Sequence, residues 1–248
     1  MDFPRLHRNR QTLSLTFGSD LLQSCMKVDA PTELVLEYTR ALMAFLLVHP
    51  QPARVLMVGL GGGSIVRYMQ AHLPDTHLTV VEISPDVIDL RDEFDVPADG
   101  PTLSVVCADG ARYMARTDLL PFDAILIDGF TAEGQPPALA TPAFYRACRA
   151  RLAPDGLLMI NLHAAEPALS EHLKRLRKAL GSGVFDQTVD DGDNQVVMAA
   201  AEPVWQALAA DFQTRWTQLA EVHQSTLGSS AGRLERALVR RYPARLSE

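Results

Sequence analysis

The sequence predicts an α/β fold whose sheet is mostly parallel and ends in an antiparallel hairpin. From residue 54 onward, short apolar runs alternate with helix-like segments, which is the pattern of successive β-α-β units. The runs AILI and LLMI are apolar throughout, as in parallel strands that are covered on both faces. The last two apolar runs, residues 184–189 and 194–201, are joined by a short acidic turn, so these strands must be antiparallel.

The segment before this region predicts a small β-hairpin followed by a helix. Residues 12–17 alternate polar and apolar side chains, and residues 18–20 (Gly-Ser-Asp) mark a turn before the next strand. Residues 32–48 predict a helix with Thr32 as its N-cap, and the prolines that follow end this helix. We therefore expect residues 1–50 to form a small N-terminal unit and residues 51–248 to form a larger Rossmann-like domain.

The larger unit is predicted to follow a regular order of elements. Its parallel strands are expected at residues 54–58, 77–82, 103–106, 122–127 and 156–161. The helices between and after these strands are expected at residues 64–72, 85–93, 110–116, 142–151 and 168–180. Two terminal helices, residues 203–223 and 230–241, are predicted to be separated by a linker with the sequence LGSSAG.

The bulk composition excludes several classes of protein. The chain has 248 residues, 47% of them hydrophobic, which is enough for a full core. The net charge is −7 and no block of Lys or Arg occurs, so nucleic acid is not expected as a partner. No apolar run approaches the roughly 20 residues of a membrane span and no signal segment is evident, which predicts a cytoplasmic protein. The Cys and His residues show no metal-binding spacing, so no metal is expected.

A glycine-rich turn after the strand at residues 54–58 is the strongest functional signal. It contains Gly59, Gly61, Gly62 and Gly63 and opens a predicted helix. Glycines let a ligand approach the main chain closely, and free N–H groups at a helix start favour a polar or anionic group. Glu82 ends the next strand about 20 residues later, where a carboxylate can hold both hydroxyls of a ribose. These features predict an adenosine-type nucleotide, with a turn that binds no ligand as the alternative.

Polar residues follow three further strands at the same predicted edge of the sheet. Asp109, with Gly110 after it, can accept a hydrogen bond from an adenine amino group or can cap the next helix. Asp128 ends an apolar strand, where an unpaired carboxylate is costly to bury, and we expect it to be a general base or an amine-binding group. His163 is expected either to contact substrate, to act as a base or to be structural.

The residues in this order resemble the spermidine synthase family, that is, the polyamine aminopropyltransferases. The resemblance covers roughly residues 12–200 and includes three further pieces of sequence. These are Gln23-Ser24 after the hairpin, the HPQP run before the glycine-rich turn, and the spacing Leu139-x-x-x-x-Phe144-Tyr145. The resemblance implies a fold of the class I S-adenosylmethionine methyltransferase type with an N-terminal β cap, and it points to a divergent bacterial branch.

The resemblance also implies a reaction and a set of site residues. The donor would be decarboxylated S-adenosylmethionine or a related thioadenosine nucleoside, the acceptor a small amine, and a homodimer one possible assembly. Asp128 would correspond to the catalytic Asp, which helps to deprotonate the acceptor. The implied donor-binding residues are Gln23, Gly59, Gly61, Gly62, Gly63, Glu82, Ile83, Asp109 and Gly110, and the implied substrate residues are Thr131, Tyr145 and His163.

Two acids of the resembling family are absent from this sequence. The family's loop Asp is replaced by Gly62, and the second Asp of its DxxD segment is replaced by Thr131. Both acids would face ammonium groups, and a buried ammonium without a carboxylate is unfavourable. The family's Tyr-His-Glu segment has only Glu37-Tyr38 near its place. Replacement acids are expected among Glu33, Glu37, Glu133 and the turn Asp190–Asp193, although each of these is also typical of a solvated surface.

Other functions therefore stay open on the sequence alone. One is an S-adenosylmethionine-dependent methyltransferase that acts on a small molecule, since the missing loop Asp would no longer repel a methionine carboxylate. Another is a nucleoside-binding protein without catalysis, although the presence of Asp128 argues against it. A nicotinamide dehydrogenase would share Gly59, Gly61 and Glu82, but Ser64 and the antiparallel end of the sheet disfavour it.

Overall fold

The computed structural model describes residues 4–17, 22–130, 134–190 and 192–243, which form two β-sheets and their covering helices. The smaller sheet is antiparallel and consists of β1 (Pro4–Arg8), β2 (Thr12–Phe17) and β3 (Leu22–Lys27). The predicted N-terminal hairpin is thus confirmed, and β1 adds a strand that its mostly exposed side chains did not signal. The turn predicted at residues 18–20 lies outside the described residues.

The larger sheet has seven strands in the order β6-β5-β4-β7-β8-β10-β9. Its first five strands along the chain are parallel to one another, whereas β9 and β10 form an antiparallel hairpin beside β8. This arrangement confirms the predicted fold class. The strands are β4 (Arg54–Val58), β5 (His77–Glu82), β6 (Leu103–Cys107), β7 (Phe122–Ile127), β8 (Leu152–His163), β9 (Val184–Thr188) and β10 (Asn194–Ala199).

Helices connect the parallel strands and cover the C-terminal part of the chain. None of the described helices is both long enough and apolar enough to span a bilayer. The helices are α1 (Glu37–Leu42), α2 (Ser64–His72), α3 (Pro85–Ile88), α4 (Gly110–Met114), α5 (Pro142–Ala150), α6 (Leu169–Leu180), α7 (Glu202–Gln218) and α8 (Glu221–Arg241), with a 3₁₀ turn at Met43–Leu47.

Both faces of the large sheet are buried in apolar clusters. Alternate residues of β4 show this directly, because Val55 and Met57 belong to one cluster and Leu56 and Val58 to the other. Burial on both faces explains why the parallel strands are apolar throughout. The first cluster also includes Leu13 of the small sheet, so the two sheets share a core. The division of the chain at residue 50 stays a prediction.

The predicted helix at residues 32–48 is wrong at its start. α1 begins at Glu37 after Leu36, so Thr32 does not cap it. The chain before the helix is held by tertiary contacts, since Leu34 is buried and its carbonyl accepts a hydrogen bond from Arg40 Nε at 2.7 Å. These contacts outweigh the local preference for a longer helix.

The predicted linker between the terminal helices is also wrong. α8 runs without interruption through the LGSSAG sequence, and the break in the chain lies earlier, between α7 and α8. Leu227, Ser230, Ala231 and Leu234 are buried along this helix. Small side chains on the buried face let the helix pack closely, and this packing overrides the low helix propensity of Ser and Gly.

A buried hydrogen bond joins α8 to α2, the helix that starts at the glycine-rich turn. The Tyr68 hydroxyl lies 2.6 Å from His223 Nδ1, and the His72 ring packs against the Tyr68 ring with centroids 4.8 Å apart. Burial lowers the pKa of His223, and the nearby His72 lowers it further. Burial also lowers the pKa of His72. Both imidazoles are therefore harder to protonate in the folded protein than in the unfolded chain.

We predict that the free energy of unfolding falls as the pH drops below about 6.5, the value at which an unfolded His takes up a proton. The folded pKa values of His72 and His223 lie below the unfolded value, so acid favours the unfolded state. Urea unfolding at neutral and mildly acidic pH should show a smaller pH dependence in His223→Gln. His7→Gln, which changes an exposed residue of β1, is the control. An equal pH dependence in both variants would contradict this prediction.

Candidate functional site

The carboxyl ends of the five parallel strands lie at one edge of the large sheet, and the predicted site residues gather there. The strand order reverses at β4, with β5 on one side and β7 on the other. Such a switch point opens a crevice in which α/β proteins bind ligands. The glycine-rich turn follows β4, Glu82 ends β5, Asp109 follows β6 and Asp128 follows β7.

Two glycines of the turn are required by both conformation and space. Gly59 has φ of +97°, and a Cβ there would collide with the backbone carbonyl of Asp128. Gly63 has φ of +68° at the N-cap of α2, and a Cβ there would collide with Val96. Only glycine adopts such angles at little cost. The absence of a side chain at Gly59 therefore brings the turn directly against the backbone of Asp128.

Gly62 has no room for a larger residue. A Cβ on Gly62 would lie 2.6 Å from Ser24 Oγ and 2.9 Å from Phe94 Cε1. Ser24 belongs to β3, and its hydroxyl lies 3.3 Å from the hydroxyl of Ser64. The small sheet thus closes over the turn and fills the space that a side chain at position 62 would need.

A buried arginine supports the turn. Arg67 is 3% exposed, and its Nη1 donates to the carbonyls of Gly62 and Phe94 at 2.5 and 2.6 Å, while its Nε donates to that of Pro31 at 2.6 Å. Burial lowers the pKa of Arg67 to about 10, against the opposing effect of the Asp95 carboxylate. The guanidinium keeps its charge at neutral pH, so a positive charge lies behind the turn.

Glu82 is fixed by the main chain. Its Oε2 accepts a hydrogen bond from the Leu60 amide and its Oε1 accepts one from the Ser84 amide, both at 2.8 Å. Each carboxylate oxygen can accept a further hydrogen bond, and a diol such as a ribose would supply one to each. Ile83 beside it is 51% exposed and offers an apolar surface at the same edge.

Asp109 combines two predicted features. Its Oδ1 accepts a hydrogen bond from the Arg112 amide at 2.9 Å, so Asp109 caps α4. Gly110 allows this helix to lie close to the sheet, because a Cβ there would be 2.5 Å from Val58 Cγ1. The cap uses only one carboxylate oxygen. The second oxygen remains a suitable acceptor for a nucleoside amino group.

Asp128 is held by amide side chains from two neighbouring strands. Its Oδ1 accepts a hydrogen bond from Asn161 Nδ2 at 2.9 Å, and Asn161 Oδ1 accepts one from Asn194 Nδ2, also at 2.9 Å. The Tyr38 hydroxyl lies beside the Asp128 carboxylate and 3.2 Å from the Gln23 carbonyl. A hydroxyl carries one proton, which Tyr38 can donate to either oxygen. Gln23 thus reaches the site through its main chain.

The pKa of Asp128 suits proton transfer at neutral pH. Burial raises this pKa to about 7, and the negative charge of Glu82 adds to the increase. Hydrogen bonds from Asn161 and Tyr38 oppose it. Burial and the Asp128 carboxylate together raise the pKa of Tyr38 well above its ordinary value, so Tyr38 stays a hydrogen-bond donor. A carboxyl group with a pKa near the working pH is well matched to general base catalysis.

The structure describes two of the three predicted substrate residues and places them in different surroundings. His163 lies at the end of β8, where its ring packs edge-on against Phe130 with centroids 6.2 Å apart. Tyr145 is 0% exposed within the core, and its hydroxyl has no hydrogen-bond partner in the described part of the chain. Burial also raises the pKa of Tyr145. Thr131 lies outside the described residues. Of the two described residues, His163 therefore lies at the carboxyl end of the strand that carries Asn161, and Tyr145 lies in the core.

Three residues around Asp128 were missed by sequence reasoning. Tyr38 appeared only beside Glu37, near the place of the family's Tyr-His-Glu segment, and Asn161 and Asn194 were not singled out. A polar residue at the first position of β10, beside the carboxyl end of β8, was the available signal for Asn194. It could be interpreted only once the pairing of β8 with β10 was known.

A known protein family and several known proteins match the sequence of this chain. The spermine/spermidine synthase domain family matches residues 36–190, which is more than half of the chain. The chain belongs to the spermine/spermidine synthase family. It is 38% identical over 188 residues to a polyamine aminopropyltransferase of Neisseria meningitidis, covering 75% of this chain and 71% of that protein. The protein is therefore a spermidine synthase-like transferase, as its sequence motifs indicated.

Two solved structures share the fold of this family member. A probable spermidine synthase from Corynebacterium glutamicum is 19% identical, with a TM-score of 0.67 over 84% of this chain and 82% of that one. Human methyltransferase-like protein 13, solved in complex with SAH, is 22% identical, with a TM-score of 0.62 over 86% and 96% of the two chains. At these identities the likeness concerns the fold alone, which spermidine synthases and methyltransferases have in common.

We predict that Gly62→Ala lowers the free energy of unfolding by about 1–3 kcal/mol, because the new methyl group must displace Ser24 or Phe94. Gly61→Asn is the matched control, since Gly61 has φ of +52° and a Cβ there would meet no atom within 4 Å. Asn tolerates this conformation, so its cost should stay below about 1 kcal/mol. Urea unfolding measures both. Equal losses would show that space at Gly62 is not the constraint.

Proposed function

We propose that this protein transfers an aminopropyl group from decarboxylated S-adenosylmethionine, or a related thioadenosine nucleoside, to a small amine. The observation that carries the proposal is the Asp128 carboxylate, whose pKa is raised to about 7 and which lies against the glycine-rich turn. The similarity to a polyamine aminopropyltransferase of Neisseria meningitidis supports the same reaction.

The donor would bind across the switch point of the sheet. Glu82 would accept hydrogen bonds from the two ribose hydroxyls, while its own position is fixed by the Leu60 and Ser84 amides. Ile83 would cover one face of the adenine with apolar surface, and the free oxygen of Asp109 would accept from the adenine amino group. These contacts recognise the nucleoside and leave the sulfonium end free to face Asp128.

Asp128 would act on the acceptor. In its ionised form it would take a proton from the ammonium of the acceptor, which frees the nitrogen lone pair. The lone pair attacks the carbon bound to the sulfonium sulfur, so a C–N bond forms as the C–S bond breaks. The sulfur leaves as a neutral thioether, and the proton on Asp128 passes to solvent. The Asn161 and Tyr38 hydrogen bonds keep enough of Asp128 ionised for this role.

The far end of a polyamine acceptor would need another carboxylate. Three of the predicted replacement acids are paired already, since Glu33 bonds to Lys27 at 2.7 Å and Glu37 to Arg40 at 2.9 Å. Asp190 forms an ion pair with Arg233. Glu133 and residue 191 of the acidic turn lie outside the described residues. These pairings leave little free negative charge at Glu33, Glu37 and Asp190.

Glu166 is better placed for this role, and sequence reasoning did not single it out. The residues after β7 run beside the end of β8: Asp128 bonds to Asn161, and Phe130 packs on His163. At the next step, a Cβ on Gly134 would lie 3.6 Å from the Glu166 carboxyl carbon. Along this edge, Asp128 is thus followed by the rings of Phe130 and His163 and then by Glu166. This order suits an acceptor in which a chain of methylenes separates two ammonium groups.

The surroundings of Glu166 provide no Lys or Arg partner within the described residues. Its Oε1 lies 3.6 Å from His172 Nε2, and its Oε2 is buried without a hydrogen-bond partner there. A buried carboxylate oxygen without a donor is unfavourable. The far ammonium of the acceptor would supply the missing donor and charge. We therefore include Glu166 in the proposed acceptor site.

Ligand-induced thermal shifts test the donor. A ligand that binds only the folded protein stabilises it by about 2.7 kcal/mol at a hundredfold excess over its Kd. We expect decarboxylated S-adenosylmethionine and methylthioadenosine to raise the melting temperature and NAD to leave it unchanged.

Asp128→Asn should keep this donor binding but lower turnover at least about tenfold, because it removes the base. Full turnover in this variant would exclude Asp128 from the mechanism.

We predict that Glu166→Gln raises the KM for a diamine or polyamine acceptor about tenfold or more, with a smaller change in kcat. The loss of one buried charge partner for an ammonium accounts for this size. Glu171→Gln is the control, because Glu171 is an exposed residue of α6 that pairs with Lys174. Steady-state kinetics with a monoamine of equal length completes the test. An unchanged KM for the diamine would remove Glu166 from the acceptor site.

Methyl transfer from S-adenosylmethionine is the second candidate, and one observation favours it. An acid at position 62 would repel the carboxylate of S-adenosylmethionine. This chain has Gly62 there, and the buried Arg67 behind the turn carries a positive charge. In the thermal-shift series, a larger stabilisation by S-adenosylmethionine than by its decarboxylated form would favour this reaction. Stabilisation by neither sulfonium compound nor methylthioadenosine would overturn both transfer reactions.

A further inference from the structure

The hydrogen bonds around Asp128 form a chain with a fixed direction. An ionised carboxylate only accepts hydrogen bonds, so Asn161 must present its N–H group to Asp128. The carbonyl oxygen of the Asn161 amide then points away from Asp128 and needs a donor of its own. Asn194 Nδ2 supplies this donor at 2.9 Å. Each amide in the chain therefore has its orientation set by the next group along it.

The pairing of β8 with β10 makes this contact possible. Val196 pairs directly with Asn161, and Asn194 precedes Val196 by two residues on the same face of the sheet. Residues on such a diagonal are within reach of each other's side chains. Asn161 is 2% exposed and Asn194 is 9% exposed, so water has little access to replace either partner.

An amide side chain is nearly symmetric in shape but not in charge. If the Asn161 amide were rotated so that its oxygen and nitrogen changed places, it would occupy the same space with its oxygen against Asp128. An oxygen in that position repels the carboxylate and disfavours its charged form. The strand β8 alone does not choose between these two orientations. The donor on Asn194 does, because only one orientation satisfies it.

We propose that Asn194 is a positioning residue for Asp128: its N–H group holds the Asn161 amide in the orientation that donates a hydrogen bond to the carboxylate. Its effect on catalysis rests on the proposed function, whereas its effect on Asp128 does not. The other groups that act on Asp128 are Tyr38 from α1 and Glu82 from β5, whose described hydrogen bonds go to other partners than Asn194.

The proposal is tested on the ligand-free protein by following the carboxyl carbon of Asp128 with ¹³C NMR during a pH titration. The signal is assigned by its loss in Asp128→Asn. In Asn194→Asp the new carboxylate competes for the N–H group of Asn161, so the titration of Asp128 should move up by about one pH unit. Asn194→Leu removes the donor without adding charge and should move the titration less, in the same direction.

Two further variants separate positioning from a general disturbance of β10. Asn194→Gln keeps the amide donor and should restore most of the original titration. Gln195→Leu changes the next residue, whose side chain bonds to Asp186 at 2.7 Å and to Thr188 at 2.8 Å, and should leave Asp128 unchanged. Unchanged titration of Asp128 in both Asn194→Asp and Asn194→Leu overturns the proposal. An equal change in Gln195→Leu overturns it as well.

Enzyme kinetics then links the positioning role to catalysis. In Asn194→Asp the acid limb of the kcat profile should move together with the NMR titration. A move of one pH unit lowers the rate in the acid limb about tenfold. The KM for the donor should not change. An altered NMR titration without turnover on any sulfonium donor would reject the proposed function and leave the role of Asn194 standing. Turnover with an unaltered NMR titration would support the proposed function and reject the role of Asn194.

Discussion

The site depends on the burial of the Asp128 carboxylate. Withdrawing a carboxylate from water favours its neutral form, and hydrogen bonds from Asn161 and Tyr38 restore part of the stability of the charged form. These donors come from β8 and from α1, and Asn194 of β10 orients the first of them. The pKa of about 7 is therefore a property of several elements in their assembled positions. The antiparallel hairpin at the end of the sheet therefore contributes to the site, because it supplies Asn194, the outermost group of this series of hydrogen bonds.

The N-terminal sheet has a comparable role on the other side of the cleft. Ser24 of β3 lies against Gly62, and the Gln23 carbonyl lies beside the Tyr38 hydroxyl. The small sheet thus limits what position 62 can hold and also helps to place a hydrogen-bond donor of the site. The positively charged Arg67 lies behind the turn, whereas an acid at position 62 would place a negative charge there. The packing of β3 onto the turn gives a physical reason why the turn contains glycine at position 62.

The residues proposed to bind the nucleoside and those proposed to bind the acceptor lie in different parts of the chain. Asp109 is fixed by the Arg112 amide of the helix that it caps, whereas Glu82 is held by the nearby Ser84 amide and by the Leu60 amide of the glycine-rich turn. Glu166 owes its place to two loops that run side by side after β7 and β8. Under the proposed function, a relative with the same residues at Glu82 and Asp109 but different loops would keep its donor and change its acceptor.

The sequence by itself determined the parallel strands, the glycine-rich turn and the positions of Glu82, Asp109 and Asp128. Each of these residues ends or closely follows an apolar strand, and the carboxyl ends of parallel strands lie at one edge of a sheet. Tertiary structure alone decided that Asn194 meets Asn161, that Glu166 lies near the loop after β7 and that Tyr145 is buried in the core. It also decided that α8 continues through its Ser and Gly residues. These outcomes depend on contacts between elements far apart in the chain, where the balance of packing and hydrogen bonding outweighs local preference.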